Sequence, residues 1–361
     1  MSKRHDALVF IGRFSPLHLG HEAVIDKAIS LGPVIVLVGS AFGPRNLRNP
    51  WTFEERKAMI KAKYGDRVIV KPLPDYPYND QKWKAAVRSL VYSSLPWSDM
   101  PQKIGLIGHS KDRSSYYLNM FPDWDSIEVE NHEGLNATTI RELLLHRRDI
   151  SQFLSEDVAN EIAPLPETIF NEFELNNLYQ KPYRTLTRKD IENWYGAMDE
   201  EDFIVVDHIE DFADEFRPKY PPIFHTVDAV VVQSGHVLLV KRKSAPGIGL
   251  WALPGGFLEQ DETMVAGAVR ELREETKIKV PEPVLYGSIK GEKVFDHPHR
   301  STRGRTITTA FFFDLGDKAT LPKVVGSDDA EKAVWVPYNE IDMTKMFEDH
   351  GHIIDYFTNI K

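Results

Sequence analysis

Two histidines, His18 and His21, stand three residues apart in the stretch Gly12-Arg13-Phe14-Ser15-Pro16-Leu17-His18-Leu19-Gly20-His21. Gly12 lets the chain turn tightly, and Gly20 permits close backbone approach. Once a helix has begun, residues three apart share a face. A helix start also offers free N–H groups and partial positive charge, which suits phosphate. Histidines there can donate to phosphate oxygens and stabilise charge in phosphoryl-type transfer. A second stretch, Asn136-Ala137-Thr138-Thr139-Ile140-Arg141, opens an amphipathic helix with Asn136 as N-cap. It places the Thr138 hydroxyl and Arg141 guanidinium on one side. Taken alone, either stretch also reads as an ordinary helix start.

The other candidate chemistry is acidic. Glu271, Glu274 and Glu275 stand at i, i+3 and i+4, so they project from one helix face. Like charges at that spacing repel, and a hard divalent cation removes the penalty. Carboxylate oxygens suit Mg²⁺ or Mn²⁺. Arg270 is placed to orient or neutralise the cluster. Leu253-Pro254-Gly255-Gly256 brings backbone beside the helix, so a carbonyl such as that of Gly256 can join a metal shell. Glu262 is expected to start the helix, where its charge favours the dipole. The stretch from Phe295 to Thr306 gathers Arg300, Arg303 and Arg305 with His297 and His299. It reads as an anion-binding loop or as an exposed basic one. Asp328, Asp329 or Glu331 is a candidate general base, or part of an acidic turn.

These residues need elements to hold them. Short apolar runs at Ala7–Ile11, Val34–Val38, Val68–Pro72 and Lys103–Ile107 read as strands. Helical patterns at His21–Leu31, Phe53–Tyr64 and Lys82–Ser94 lie between them. That alternation predicts a parallel α/β sheet. Its ligands should bind beyond the carboxyl ends of the strands, where the histidine stretch falls. From Thr226 the pattern changes: Asp228–Gln233 and Val237–Lys241 flank Ser234-Gly235, a hairpin signal. A Gly-rich loop and acidic helix follow over Gly255–Lys277, then strands at Thr306–Asp314 and Ala333–Pro337. This half reads as α+β. Between Ser151 and Pro222 the chain turns acidic and aromatic, and Trp194, Tyr195 and Phe203 suggest a docked linker.

The 361 residues suit two domains, and 42% hydrophobic content is enough for a core in each. The absence of cysteine excludes disulfide scaffolds, cysteine-ligated zinc and cysteine catalysis. A net charge of −10 argues against a general nucleic-acid binder but leaves small phosphorylated ligands open. No run reaches the roughly 18 apolar residues of a membrane helix. The N-terminus lacks a long apolar signal region, so the expected address is cytoplasmic.

The histidine and Asn136–Arg141 motifs together resemble the nucleotidylyltransferase superfamily, with its HxGH and late TxIR. The closer resemblance is to archaeal-type nicotinamide mononucleotide adenylyltransferases. Their GRFQPFHxGH is matched by Gly12 to His21, and their NPFT…ER by Asn49-Pro50-Trp51-Thr52 with Glu55-Arg56. Ser15 stands where that family has Gln, and Asn136 where it usually has Ser. The resemblance implies transfer of AMP from ATP to nicotinamide mononucleotide, yielding NAD and pyrophosphate. It places His18, His21 and Arg141 on the ATP phosphates, with Arg13 and Thr138 assisting. Gly12, Phe14 and Asn49 would serve nucleotide binding, Trp83 with Asn79 the nicotinamide, and Mg²⁺ would screen the polyphosphate. Arg45 and Arg48 read as phosphate contacts or as surface charge.

Gly256 to Ile278 resembles the Nudix box, Gx5Ex7REUxEExGU with U apolar. The single departure is Lys277 in place of Gly, from which an altered helix end is expected. The box implies metal-dependent hydrolysis of a nucleoside diphosphate linked to another group. Glu271, Glu274, Glu275 and Gly256 would hold metal, Glu274 and Glu275 would be catalytic, and Arg303 and Arg305 would bind substrate. The two halves together resemble bacterial bifunctional nicotinamide mononucleotide adenylyltransferase/Nudix hydrolases, whose second substrate is ADP-ribose. The expected organisation is a Rossmann-like nucleotidylyltransferase domain over residues 1–180, a linker over 181–222 and an α+β Nudix domain over 223–361. The expected partners are ATP, nicotinamide mononucleotide and ADP-ribose, without nucleic acid or membrane; a homo-oligomer is left open. Two alternatives stay open: another nucleotidylyltransferase fused to a Nudix domain of different specificity, and a non-catalytic ADP-ribose-sensing regulator. The intact glutamates and acidic chain speak against the regulator.

Overall fold

The computed structural model describes residues 5–98, 100, 102–108, 120–129, 135–180, 223–259, 261–326 and 330–359. Contacts divide the chain into two units, Met1–Phe170 and Asn171–Lys361. The linker read over 181–222, with Trp194, Tyr195 and Phe203, lies outside the described residues, as do Asp328 and Asp329.

In the first unit, β1 (Ala7–Gly12), α1 (Leu19–Leu31), β2 (Val34–Val38), α2 (Phe53–Tyr64), β3 (Val68–Pro72), α3 (Asp80–Tyr92), β4 (Ile104–Gly108) and β5 (Asp125–Glu128) follow in order. The strands form a sheet in the order β3-β2-β1-β4-β5, with every pair parallel. Their near-continuous apolar runs follow from burial on both faces. Leu8 and Phe10 of β1 join Val24, Ile25, Met59 and Ile60 of α1 and α2 on one face. Ala7, Val9 and Ile11 join Val87 and Val91 of α3 on the other. β1 has β2 on one side and β4 on the other, so the strand order reverses beside it. That switch point opens a crevice beyond its carboxyl end.

The strand and α2 expectations hold to within a residue, but two helices start earlier than the pattern suggests. α1 begins at Leu19 because His18 itself is the cap. α3 begins at Asp80 because the Asn79 side chain accepts from Lys82 N–H at 2.9 Å. After β5, α4 (Ala137–Leu145) carries the Arg141 motif, followed by α5 (Glu156–Glu161) and α6 (Glu167–Gln180).

The second unit holds a seven-stranded mixed sheet. Its main path is β10 (Ile289–Phe295), β11 (Thr306–Asp314), β6 (Phe224–Gln233), β7 (His236–Arg242) and β12 (Ala330–Pro337). β8 (Trp251–Ala252) pairs with β7, and β9 (Gly255–Phe257) with β6. The β6–β7 turn takes positive φ at Ser234 (48°) and Gly235 (74°), as a two-residue hairpin requires. Helix Met264–Thr276 buries Ala268, Val269 and Leu272 against Val227, Ala229 and Val231 of β6. Glu262 does not start this helix; Thr263 is the N-cap and accepts from Ala266 N–H. The altered helix end expected from Lys277 does not appear. Lys277 adopts the left-handed conformation itself (φ 47°, ψ 32°), and its N–H reaches Arg273 O at 2.9 Å. No helix among the described residues is long and apolar enough to cross a membrane.

Candidate active sites

The first site is assembled from both ends of its unit. Extended backbone at His18 (φ −146°, ψ 167°) lets its ring fold back, and Nδ1 accepts from Gly20 N–H at 3.1 Å. The His18 and His21 rings lie 3.8 Å apart, centroid to centroid. Phe14 is buried, at 1% exposure, and its ring packs on Phe10 and His21. Its side chain therefore supports the site from the core. A Cβ at Gly12 would stand 3.0 Å from that ring.

Arg141 closes the loop from the other end. Its Nη1 donates to Ser15 O at 2.7 Å and its Nη2 to Thr138 Oγ1 at 3.1 Å. Burial pushes its pKa down to about 10, and the nearby charges of Arg13 and Arg48 push the same way. Arg48 is lowered by burial and then by Arg13. Three guanidiniums that repel one another beside a helix N-terminus form a site that gains by taking up an anion. Arg45 is separate: it pairs with Glu55 at 2.6 Å and donates to Pro50 O. Asn49 lies in the same loop, its Oδ1 buried without a hydrogen-bond partner among the described residues. Trp83 packs near Phe121 at 6.1 Å.

Arg56 has a role that motif reading left unassigned. The guanidinium is buried and donates to the carbonyls of Arg13, Gly39, Ser40 and Thr52 at 2.8–3.2 Å. It ties the end of β1 to the end of β2, and burial lowers its pKa to about 10.

The second site lies along helix Met264–Thr276. Arg270 is its organiser. Nε and Nη2 reach Glu262 at 3.1 and 2.7 Å, Nη2 also reaches Phe257 O, and Nη1 bridges Glu271 (2.9 Å) and Glu274 (3.1 Å). The single acidic face expected from spacing holds in part. The Glu271 side chain is 14% exposed, whereas that of Glu274 is 53% exposed and turned to Arg270. Among the described residues no three acidic or histidine side chains converge as a metal-binding group. Glu275 is held inward by Gly255 N–H on its Oε2 at 2.9 Å. Burial, then the charge of Glu271, pushes its pKa up to about 8. A Cβ at Gly256 would stand 2.4 Å from Glu271 Oε1, so only glycine brings the backbone so near the carboxylate.

The basic loop divides. Arg300 is buried and pairs through two hydrogen bonds with Asp349, which removes it from the anion-binding set. Arg305 donates to Asp296 O. Arg303 lies over the Phe257 ring at 5.3 Å, with its Nε buried and lacking a hydrogen-bond partner among the described residues. Beneath the site, buried Asp228 accepts from Thr308 Oγ1 at 2.6 Å, and His350 Nδ1 accepts from Leu253 N–H at 2.9 Å. The 3.9 Å between Asp228 and His350 is not an ion pair. Burial pushes Asp228 up and His350 down to about 3, which keeps the imidazole neutral. Sequence reading missed this layer, although a carboxylate within the apolar run of β6 is itself a signal, since buried charge needs partners.

Residues 9–142 match the cytidylyltransferase-like family model and residues 223–357 the NUDIX domain model. A crystal structure of a bifunctional NMN adenylyltransferase/ADP ribose pyrophosphatase from Francisella tularensis is 33% identical. It covers 98% of this chain and 99% of its own, with a TM-score of 0.81. The chain belongs to this bifunctional family. A structure of a Francisella tularensis protein of the same description, complexed with AMP and a Mn ion, is 34% identical. It has a TM-score of 0.76 and the same coverage of both chains. The nicotinamide/nicotinic acid mononucleotide adenylyltransferase of Acinetobacter baylyi is 36% identical over 187 residues, which is 50% of this chain and 95% of that protein. In the bifunctional family's terms, the Arg141 site belongs to the adenylyltransferase half and the Arg270 site to the Nudix half.

Proposed function

We propose that the first unit transfers AMP from ATP to nicotinamide mononucleotide, giving NAD and pyrophosphate, and that the second hydrolyses ADP-ribose to AMP and ribose 5-phosphate. The observation that carries this reading is the full-length likeness to a bifunctional relative, joined to two separate sites with matching chemistry. We assign residues 1–180 to the first activity, 181–222 to the linker and 223–361 to the second.

In the first reaction the mononucleotide phosphate attacks the α-phosphorus of ATP and pyrophosphate leaves, so no protein nucleophile is needed. The protein acts by positioning and by charge. His18, His21 and Arg141 hold the phosphates, and Arg13 and Arg48 add to the positive field. Thr138 fixes the Arg141 fork. Asn49 offers its buried Oδ1 to the nucleotide, and Trp83 lines the nicotinamide side.

The second reaction is metal-dependent, as Nudix chemistry is. The residues fit a hard cation: Glu271 and Glu275 are inward carboxylates, and Gly256 leaves room for backbone beside Glu271. Glu271, Glu274, Glu275 and the Gly256 carbonyl would hold Mg²⁺ or Mn²⁺, which polarises the diphosphate and lowers the pKa of water. Arg270 holds Glu262, Glu271 and Glu274 in place. Arg303, stacked on Phe257, presents its guanidinium to the substrate's charge, and Arg305 borders it. We place the protein in the cytoplasm, with small-molecule substrates.

The test is the purified chain with Mg²⁺. NAD must form from ATP and nicotinamide mononucleotide, and AMP must be released from ADP-ribose. No NAD sinks the first assignment, and uncleaved ADP-ribose sinks the second.

A further inference from the structure

Four consecutive residues near the C-terminus, Phe347 to His350, each grip a different part of the loops around the second site. Phe347 N–H donates to Trp251 O at 2.7 Å, and its ring lies 4.0 Å from the Arg242 guanidinium. Glu348 Oε1 accepts from Thr302 N–H at 3.1 Å. Asp349 takes both hydrogen bonds of Arg300, at 3.0 and 2.8 Å. His350 Nδ1 accepts from Leu253 N–H. Leu253 is 1% exposed, so its N–H has no water to turn to. A buried donor left without an acceptor is costly, so the contact fixes where Leu253 stands.

Leu253 leads directly into the backbone that meets the acidic helix. Pro254 O accepts from Ala229 N–H at 2.8 Å, and Gly255 N–H donates to Glu275 Oε2 at 2.9 Å. Gly256 then passes against Glu271. There is no slack on the floor side, since a Cβ at Gly255 would stand 2.2 Å from Val227 O and 2.6 Å from Asp228 Oδ1. A shift at Leu253 must therefore reach Gly255 and Gly256 within two or three residues.

We propose that Phe347–His350 is a positioning clamp for the second centre, and that His350, through Leu253, sets the Gly255–Gly256 backbone against Glu275 and Glu271. His350 is a positioning residue: it touches neither Glu271 nor Glu275 through any hydrogen bond described above. The proposal rests on the reading of the second unit as a metal-dependent diphosphate hydrolase. Because Nδ1 is the acceptor, an asparagine can stand in, presenting its side-chain oxygen near the same place. A leucine cannot.

The test compares full-length wild type, H350N and H350L. Amide exchange of the segment 251–257 is followed in metal-free protein, and ADP-ribose cleavage is followed with Mg²⁺. In H350L, exchange at Leu253 is expected to quicken and kcat to fall about 10- to 100-fold, the usual cost of losing an outer-shell partner. KM for ADP-ribose should change little, NAD synthesis by the same chain should be unchanged, and H350N should recover both exchange protection and kcat. Equal losses in H350N and H350L, or unaltered Leu253 exchange in H350L, would overturn the clamp. If wild type leaves ADP-ribose intact, the substrate reading fails while the exchange comparison still decides the clamp. Should H350L not fold, H350Q replaces it. Its acceptor sits one methylene further out and is predicted to lose kcat, and full activity would contradict the proposal.

Discussion

Arg141 Nη1 donates to the carbonyl oxygen of Ser15 across 2.7 Å, joining residues 126 apart in the chain. This one contact ties the late helix motif to the loop behind β1, so the two candidate phosphate-binding motifs are joined in one structure. A planar guanidinium serves here because one fork holds Ser15 O and Thr138 Oγ1 together. Arg141→Lys keeps the charge but not the fork. NAD synthesis should fall by about 100-fold, the scale of losing a well-placed donor, while AMP release from ADP-ribose stays at the wild-type rate. Parallel steady-state assays check this.

Arg56 is buried, and its guanidinium is spent on backbone carbonyls. Removing it orphans the carbonyls of Arg13, Gly39 and Ser40. Arg56→Ala should destabilise the first unit by about 3 kcal/mol. Denaturant unfolding read at the tryptophans of that unit measures it, and a loss below about 1 kcal/mol would mean that water replaces the clamp.

Lys277 sits where a glycine would relieve the left-handed strain (φ 47°). Lys277→Gly should stabilise the second unit by about 1 kcal/mol without changing either activity. A rise in the second unit's melting temperature checks it.

His350 gives the second unit a pH dependence with a definite sign. Burial holds its pKa near 3 in the fold, against 6.5 ordinarily. Between those values the unfolded chain binds more protons, so stability is present above about 6.5 and is lost as pH falls below it. Asp349 and the cations Arg300, Arg242 and Arg303 face the ring, and Asp228 lies 3.9 Å away. Asp228 is raised by burial and contributes in the opposite sense, so the useful quantity is wild type minus H350N. That difference should shrink steadily from pH 7 to pH 4.5 in melting experiments. A flat difference would mean that His350 takes up its proton as readily in the fold as in the unfolded chain.

The sheet of the first unit was largely legible because strands buried on both faces leave long apolar runs, as Val34–Val38 does. The candidate site was legible only as proximity: the structure brings His18 to His21 and Arg141 to Thr138, as their spacing suggests. What spacing could not say is which cation each carboxylate keeps. Glu274 shares a helix face with Glu271, and Arg270 Nη1 bridges the two, yet Glu274 stays half exposed while Glu271 is largely buried. Arg300 looks the same as Arg303 in sequence, and only the distant Asp349 separates them. The layer of Asp228, Asp349 and His350 is built from contacts some 50 to 120 residues apart, which no local pattern encodes.

One chain is predicted to carry two independent active sites. Wild type, Arg141→Ala and Glu275→Gln, all full length and with Mg²⁺, should be assayed together for NAD formation and for AMP release from ADP-ribose. Wild type is predicted to perform both reactions. Arg141→Ala should lose only NAD formation, and Glu275→Gln only AMP release, each by about 100-fold or more. AMP release undiminished in Glu275→Gln, or either variant losing both reactions while still folded, would contradict the account.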